Sequence, residues 1–210
     1  MSRSRRALYL PAKRALDVLV AGVGLLVSAP VMAVLAVAVR RDVGSPVLFR
    51  QLRPGRHGEP FELVKFRTMR TLGSSDSVAN DAERLTPFGR WLRSTSLDEL
   101  PTLWNVLRGD MSLVGPRPLL MEYLDRYTPV QARRHDVRPG VTGLAQVRGR
   151  NLLSWEEKFA ADVEYVDRMG PVLDARILAA TLATVLRRQG ISAPDAATMH
   201  LFTGERRDAA

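Results

Sequence analysis

The run from Arg93 to Pro118, RSTSLDELPTLWNVLRGDMSLVGPRP, places two adjacent carboxylates, Asp98 and Glu99, at the start of an apolar segment with helical spacing. Arg93 lies just upstream, and Arg117 stands between Pro116 and Pro118. Adjacent acids at a helix start beside fixed cations fit chemistry on a phosphate ester. The carboxylate serves as nucleophile or metal ligand, and the cations hold anionic oxygens. A structural reading competes with this one. Ser96-Leu97-Asp98-Glu99 matches the capping-box pattern, and acids in a first turn are favoured by the helix dipole. Pro101 moves the expected helix start towards Asp98, because a proline is comfortable only in a first turn. That leaves the Asp98 carboxylate beside free backbone amides, which also suit a bound phosphate. Capping and chemistry are compatible.

Other cations recur in patterned positions. Lys65 and Arg67 fall on one side of a predicted strand by alternation, and two cations on a half-buried face need an anion. Arg117, restricted by proline on both sides, loses little entropy on gripping a phosphate with its planar fork. Arg138 opens the turn Arg138-Pro139-Gly140-Val141-Thr142-Gly143, and Arg148 and Arg150 flank Gly149. Any one of these alone reads as a solvated surface charge. The chain has no cysteine and its three histidines, His57, His135 and His200, are dispersed, so its ligand set argues against a zinc site. Magnesium fits better, since it binds through one or two carboxylates plus substrate phosphates, here through Asp98.

These residues need positioning, and the N-terminal part of the chain says where. The chain of 210 residues carries a net charge of +9, a balance that suits an acidic membrane surface, nucleic acid or anionic small substrates. From Val18 to Val39 no residue is charged, a length sufficient to span a bilayer. Length alone favours a spanning helix. However, Lys13-Arg14 and Arg40-Arg41 make both flanks basic, and the positive-inside rule holds both in the cytoplasm. Pro30, near the middle, removes a helix hydrogen bond and bends the chain. A hairpin turning at Ala29-Pro30 satisfies both observations. Each half would rise about 16 Å into a core ~30 Å thick, with the Ser28 hydroxyl serving a carbonyl freed by the proline.

The rest of the chain reads as a mixed α+β body. Val47 to Phe49 and Phe61 to Met69 are predicted strands around the turn Pro54 to Pro60, and Leu72 to Asp81 a surface loop. Helices are expected over Thr86–Leu92, Leu100–Leu107, Trp155–Arg168 and Ile177–Leu186, and a short strand over Ala145–Val147. Trp91, Leu92, Leu103, Trp104 and Leu107 would meet the core or an interface. The apolar stripe Ile177, Leu178, Leu182, Val185 and Leu186 serves either core packing or membrane contact. The chain divides into three parts: residues 1–41, basic N-terminus and membrane helix; 42–195, catalytic domain; 196–210, a tail.

In order along the chain, Lys13-Arg14 to Asp17, the apolar run with its proline and KFRTM at Lys65–Met69 precede the acid-pair run. VRPGVTGLAQVRGRN at Val137–Asn151, Trp155, Asp162, Tyr165 and Asp174 come after it. Together these pieces, from about Lys13 to Ile191, resemble the bacterial sugar transferases, the monotopic polyprenyl-phosphate phosphoglycosyl transferases. The resemblance implies a re-entrant membrane helix hairpin, amphipathic interfacial helices and a small β-hairpin around an active site on the cytoplasmic face of the bacterial inner membrane. The family usually has Ser-Pro at the helix break; here Ala29-Pro30 comes directly after Ser28. The implied activity moves a phosphosugar from a UDP-sugar to polyprenyl (undecaprenyl) phosphate through an aspartyl-phosphosugar on Asp98. Glu99 would act as general base or orient the acceptor, and Mg2+ would sit on Asp98. Lys65, Arg67, Arg93, Arg117, Arg138 and Arg150 would contact phosphate or nucleotide. The implied partners are the nucleotide sugar, the lipid phosphate and the bilayer, with homodimer formation allowed. Two alternatives stand beside this: a membrane-anchored basic protein that binds anionic lipid or nucleic acid, and a membrane phosphohydrolase. Sparse aromatics and the lack of any nucleic-acid motif count against nucleic acid.

Overall fold

The computed structural model describes residues 3–70, 84–149, 152–187 and 202–204. Helix α1 (Arg3–Asp42) carries the whole apolar run, with Pro11 and Pro30 inside it. Where two halves joined by a turn were expected, the helical backbone continues through Ala29-Pro30. The Ser28 hydroxyl donates to the Gly24 carbonyl at 2.6 Å. It does not serve the Leu26 carbonyl, whose helical donor Pro30 lacks.

One narrow face of α1 meets the protein. Asp17, Ala21, Leu35 and Val39 are buried, as is Val43 just beyond the helix, and Gly24 faces Leu103 closely enough that a Cβ would lie 3.1 Å from it. These positions recur every three or four residues, so both halves of the helix lean on the same body. The opposite face is apolar and open: Leu19, Val23, Val27 and Val34 are exposed, and Leu26 is 77% exposed. At the N-terminal end the contact is polar. Tyr9 and Lys13 donate to the Asp174 carboxylate at 2.6 and 2.5 Å, Arg14 to the Val106 and Leu107 carbonyls, and the Leu113 N–H donates to Asp17.

Strands β1 (Leu48–Pro54) and β2 (Pro60–Phe66) form an antiparallel hairpin, in register from Leu48↔Phe66 to Pro54↔Pro60. The first strand runs on past the expected Phe49, and the second stops before Arg67. Helix α2 (Pro87–Ser94) starts at Thr86, whose hydroxyl accepts from Gly89 N–H. Helix α3 (Thr102–Arg108) lies against the free edge of β2 and replaces a third strand there. Asn105 accepts from Val64 N–H at 3.1 Å and donates to the Glu62 carbonyl at 2.7 Å, while Thr102 donates to the Val64 carbonyl at 2.9 Å. Leu92 is fully buried as expected, and Leu103 and Leu107 pack on the core, whereas Trp91 and Trp104 are exposed.

Strand β3 (Ser112–Val114) pairs in parallel with β4 (Gly140–Thr142). Two expectations change here. The Arg138–Gly143 turn contains β4, and Ala145–Val147 is not a strand but lies in helix α5 (Leu144–Arg148). The apolar run is too short for its period to separate strand from helix. Between β3 and β4 come a 3-10 turn at Met121–Arg126, the short helix α4 (Pro129–Ala132) and a second turn at Arg133–Asp136. Helix α6 (Trp155–Arg168) opens with a capping box between Ser154 and Glu157, and α7 (Pro171–Arg187) carries Asp174 in its first turn. On α7, Ile177 is buried while Leu178 and Leu182 are exposed, so the predicted stripe divides between core and open surface. The predicted loop Leu72–Asp81 lies outside the described residues. Of the predicted tail 196–210, residues 202–204 are described, and Phe202 is buried in an aromatic cluster.

The β2 edge generates a stability prediction. Asn105→Ala leaves the Val64 N–H and the Glu62 carbonyl without their partner, at about 1–3 kcal/mol for each buried orphan. The melting temperature in detergent should fall markedly; an unchanged melt would mean that the hairpin edge is held by something else.

Candidate active site

The acid pair sits on an unusual piece of backbone. After α2, Ser96 adopts a left-handed conformation (φ 57, ψ 16), and Leu97–Glu99 form a 3-10 turn before α3 starts at Thr102. The capping box expected at Ser96 is not formed, because its side chain makes no cap hydrogen bond. Pro101 restricts the helix to the residues beyond it, so the acids occupy a tight turn. Asp98 turns inward and is buried, while Glu99 meets Arg117 with Oε1 2.6 Å from Nη2.

Five predicted residues converge here. Burial, and then the neighbouring Glu99, push the Asp98 carboxyl up to about 6, against the pull of Lys65, Arg117 and Arg93. Lys65 projects from β2, with its ammonium 5.4 Å from the Phe49 ring; burial lowers its pKa, and Asp98 and Glu99 oppose that shift. Glu99 raises the pKa of Arg117. Arg93 Nε donates to the Thr68 hydroxyl at 2.9 Å, which fixes α2 to the end of the hairpin. A buried acid among three cations can remain a carboxylate near neutral pH and can receive an anionic substrate.

The other predicted cations lie elsewhere. Arg67 donates to the Ser45 carbonyl and lines a cavity of about 530 Å3 with Pro46–Arg50. Arg138 donates to the Gly109 carbonyl at the C-terminal end of α3, where Arg14, Arg56 and Asp17 are its charged neighbours. There it complements the helix dipole, away from the acid pair at the other end. Arg148 pairs with Glu164 on the surface, and Arg150 lies outside the described residues.

Sequence reasoning missed two cations beside Arg117. Burial and then Arg117 lower Arg53 to about 10 and Lys158 to about 8. Arg53 is the last residue but one of β1 and donates to Gln51, and Lys158 lies 5.1 Å from the centre of the Trp155 ring. Strand alternation through Gln51 and Arg53, and the three-residue spacing of Trp155 and Lys158 on a helix, were the available signals.

The Pro116-Arg117-Pro118 segment is held from behind. Arg134 and Asp162 form a fully buried ion pair at 2.7 Å, and the same arginine donates to the Arg117 carbonyl at 2.7 Å. Gly115 N–H donates to the Thr142 carbonyl, and Gly140 N–H to that of Pro116, so the β3–β4 pair fixes the entry to the turn. Gly115 is obligatory at this crossing, since a Cβ would lie 2.4 Å from the Arg138 carbonyl oxygen. Among the described residues no group of three or more acids or histidines is arranged to hold a metal ion. A divalent cation would depend on the acid pair and on substrate oxygens.

The geometry is that of a buried carboxylate among three cations, on elements that pack against a helix whose other face is apolar. Residues 8–188 match the bacterial sugar transferase family. The chain is 53% identical over 196 residues to an uncharacterized sugar transferase, EpsL, of Bacillus subtilis (strain 168), covering 91% of this chain and 96% of that one. It is 41% identical over 185 residues to the UDP-glucose:undecaprenyl-phosphate glucose-1-phosphate transferase of Caulobacter vibrioides, covering 83% and 69%. With the undecaprenyl-phosphate galactose phosphotransferase of Salmonella typhimurium it shares 40% identity over 197 residues, 85% of this chain but 41% of that protein. The chain belongs to the bacterial sugar transferase family.

The buried Asp98 charge should be visible in stability. Its folded pKa of about 6 exceeds the ordinary 3.8, so the folded state binds more protons between these values and stability falls as pH rises through that window. Above it the ionised form costs roughly 3 kcal/mol. With a chelator present, Asp98→Asn should therefore melt above the wild type at pH 7.5, with the gap closing towards pH 4. A constant gap would show that Asp98 titrates normally.

Proposed function

We propose that the protein is a phosphoglycosyl transferase that moves a phosphosugar from a UDP-sugar to polyprenyl phosphate. The products are UMP and a polyprenyl diphosphate sugar, and the step opens assembly of an exopolysaccharide, capsule, O-antigen or glycoprotein glycan. The observation that carries this reading is the buried Asp98 held at about 6 among Lys65, Arg93 and Arg117. The relatives named for undecaprenyl-phosphate transfers of glucose 1-phosphate and galactose support the substrate class and show that the family is not tied to one sugar.

The chemistry derives from the side chains. An Asp98 oxygen attacks the phosphorus that bears the sugar, and the bridging P–O bond breaks with its electron pair leaving on UMP. Lys65, Arg93 and Arg117 hold the non-bridging oxygens as charge shifts towards the leaving group. The polyprenyl phosphate oxygen then attacks the same phosphorus, and the Asp98 carboxylate is restored. Dividing the transfer in two lowers each barrier. Glu99, ion-paired to Arg117 at 2.6 Å, orients that guanidinium and serves the acceptor step as general base or by orienting the lipid phosphate. Magnesium would be held by Asp98 with diphosphate oxygens of the substrate, and supplies charge neutralisation there.

The lipid substrate sets the location. The open apolar face of α1 supports burial in the bilayer, and its two basic flanks support a re-entrant path that starts and ends on the cytoplasmic side. Membrane-impermeant labelling of single cysteines placed at Ser2 and Ala210 should report the same side. Opposite sides would establish a spanning helix instead.

Incubation with a UDP-sugar and magnesium, without lipid acceptor, should release about one UMP per protein and add a phosphosugar mass to the peptide containing Asp98. Continuous release without acceptor would identify a phosphohydrolase. Asp98→Asn, which keeps its shape but loses the anion, should abolish both the adduct and the lipid product. An adduct on another residue would end the proposed mechanism.

A further inference from the structure

Residues 202–204 lie beyond the family-matched span of 8–188, yet they are seated firmly. Phe202 is 4% exposed. Its ring lies 4.9 Å from Phe159, 5.5 Å from Trp155, 5.6 Å from Tyr123 and 6.0 Å from Tyr127, on which it stacks. Its backbone is tied as well: the N–H donates to the Tyr123 hydroxyl at 3.1 Å, and the carbonyl accepts from Arg126 at 2.5 Å. Gly204 then turns in a left-handed conformation (φ 88) beside Arg126. Aromatic packing on four rings, with both backbone groups paired, marks a defined seat for this residue.

Two of the four rings have a second partner. Tyr127 and Phe159 each place their ring 5.7 Å from the Arg134 guanidinium. Arg134 is the residue that donates to the Arg117 carbonyl, and Arg117 is ion-paired with Glu99. Phe202 is therefore one ring away from the cation that fixes the Pro-Arg-Pro turn. A gap at Phe202 is relieved in part by shifts of the rings around it, and those rings include Tyr127 and Phe159. A shift of Tyr127 or Phe159 moves a ring that lies against the Arg134 guanidinium.

We infer that Phe202 is a positioning residue for the active site: it closes the aromatic box around Arg134 and, through Arg134, sets where Arg117 presents its guanidinium to the acid pair. Residues 202–204 thus contribute to the geometry of a site whose acid pair and three nearest cations lie between Lys65 and Arg117. The role in turnover rests on the transferase activity proposed above; the role in holding the turn does not.

The test separates these two levels. In the full-length protein in detergent, Phe202→Ala should raise amide hydrogen exchange in peptides covering residues 113–127 and leave the 48–66 hairpin protected. A rise everywhere, or none in 113–120, would overturn the inference. With UDP-glucose and UDP-galactose as donors, Phe202→Ala should reduce UMP release about ten- to a hundred-fold, the scale of a small misplacement at a site distant from the mutation. Phe202→Leu, which restores the apolar bulk, should recover part of the loss. Adding Phe202→Ala to Arg117→Lys should cost little more than Arg117→Lys alone, because both act on one guanidinium. Additive losses would show that Phe202 acts by a route other than Arg117, and would refute the inference. If the wild type turns over no UDP-sugar, the transferase reading fails while the exchange measurement still decides the role of Phe202.

Discussion

A helix that presents an apolar face to lipid can bind the rest of its own protein only along the stripe that remains, and this limit shapes the whole molecule. In α1 the stripe runs from Asp17 to Val39. Its N-terminal end is fixed by directional bonds: Lys13 and Tyr9 on Asp174, Arg14 on the end of α3, and Asp17 on Leu113 N–H. Its C-terminal end is fixed by packing against Phe66 and Leu92. Polar bonds set register and angle, whereas apolar contact tolerates small slides. The two elements that frame the acid pair, β2 and α2, lie at the packed end. The arginines that serve α3 gather at the bonded end.

The site itself is a balance of opposed charges on short, rigid pieces of chain. Asp98 lies on a tight turn, Lys65 on a strand whose edge is pinned by Asn105, Arg93 at the end of α2, and Arg117 on a turn backed by Arg134 and Asp162. None of these side chains has to be drawn in from a distance. The fully buried pair behind Arg117 is costly to desolvate, so its contribution is better measured in fixed geometry than in stability. Glu99 has a dual position: it adds negative charge beside Asp98 and neutralises Arg117 at the same time.

Much of this is legible from residue order, and the exceptions have physical causes. The acid pair, Lys65, Arg93 and Arg117 are readable because proline, helix-start chemistry and strand alternation each restrict side-chain direction. The hairpin and α6 are readable from turn residues and helical periodicity. Arg138 is not placed by its sequence, since an arginine that caps a helix end and one that grips a substrate look alike there. The Ser96 motif fails because Pro101 displaces the helix by several residues, and a capping pattern is blind to a proline downstream. Val147 reads as a strand residue in sequence because three apolar positions cannot reveal a period. Phe202 reads as tail, because its partners Tyr123, Tyr127, Trp155 and Phe159 are distant in the chain and only folding assembles them.

The chain's three tryptophans fall in two different surroundings. Trp91 on α2 and Trp104 on α3 stand open on the elements that lean on the membrane helix, whereas Trp155 is locked among the rings that enclose Phe202. Indole emission is sensitive to the polarity around it, and an amphipathic ring with an N–H suits the headgroup layer. The emission of Trp91 and Trp104 thus reports the medium that surrounds α2 and α3. Quenchers dissolved in water or fixed at known levels in the lipid address the first pair, and the third provides an internal standard for the state of the aromatic box.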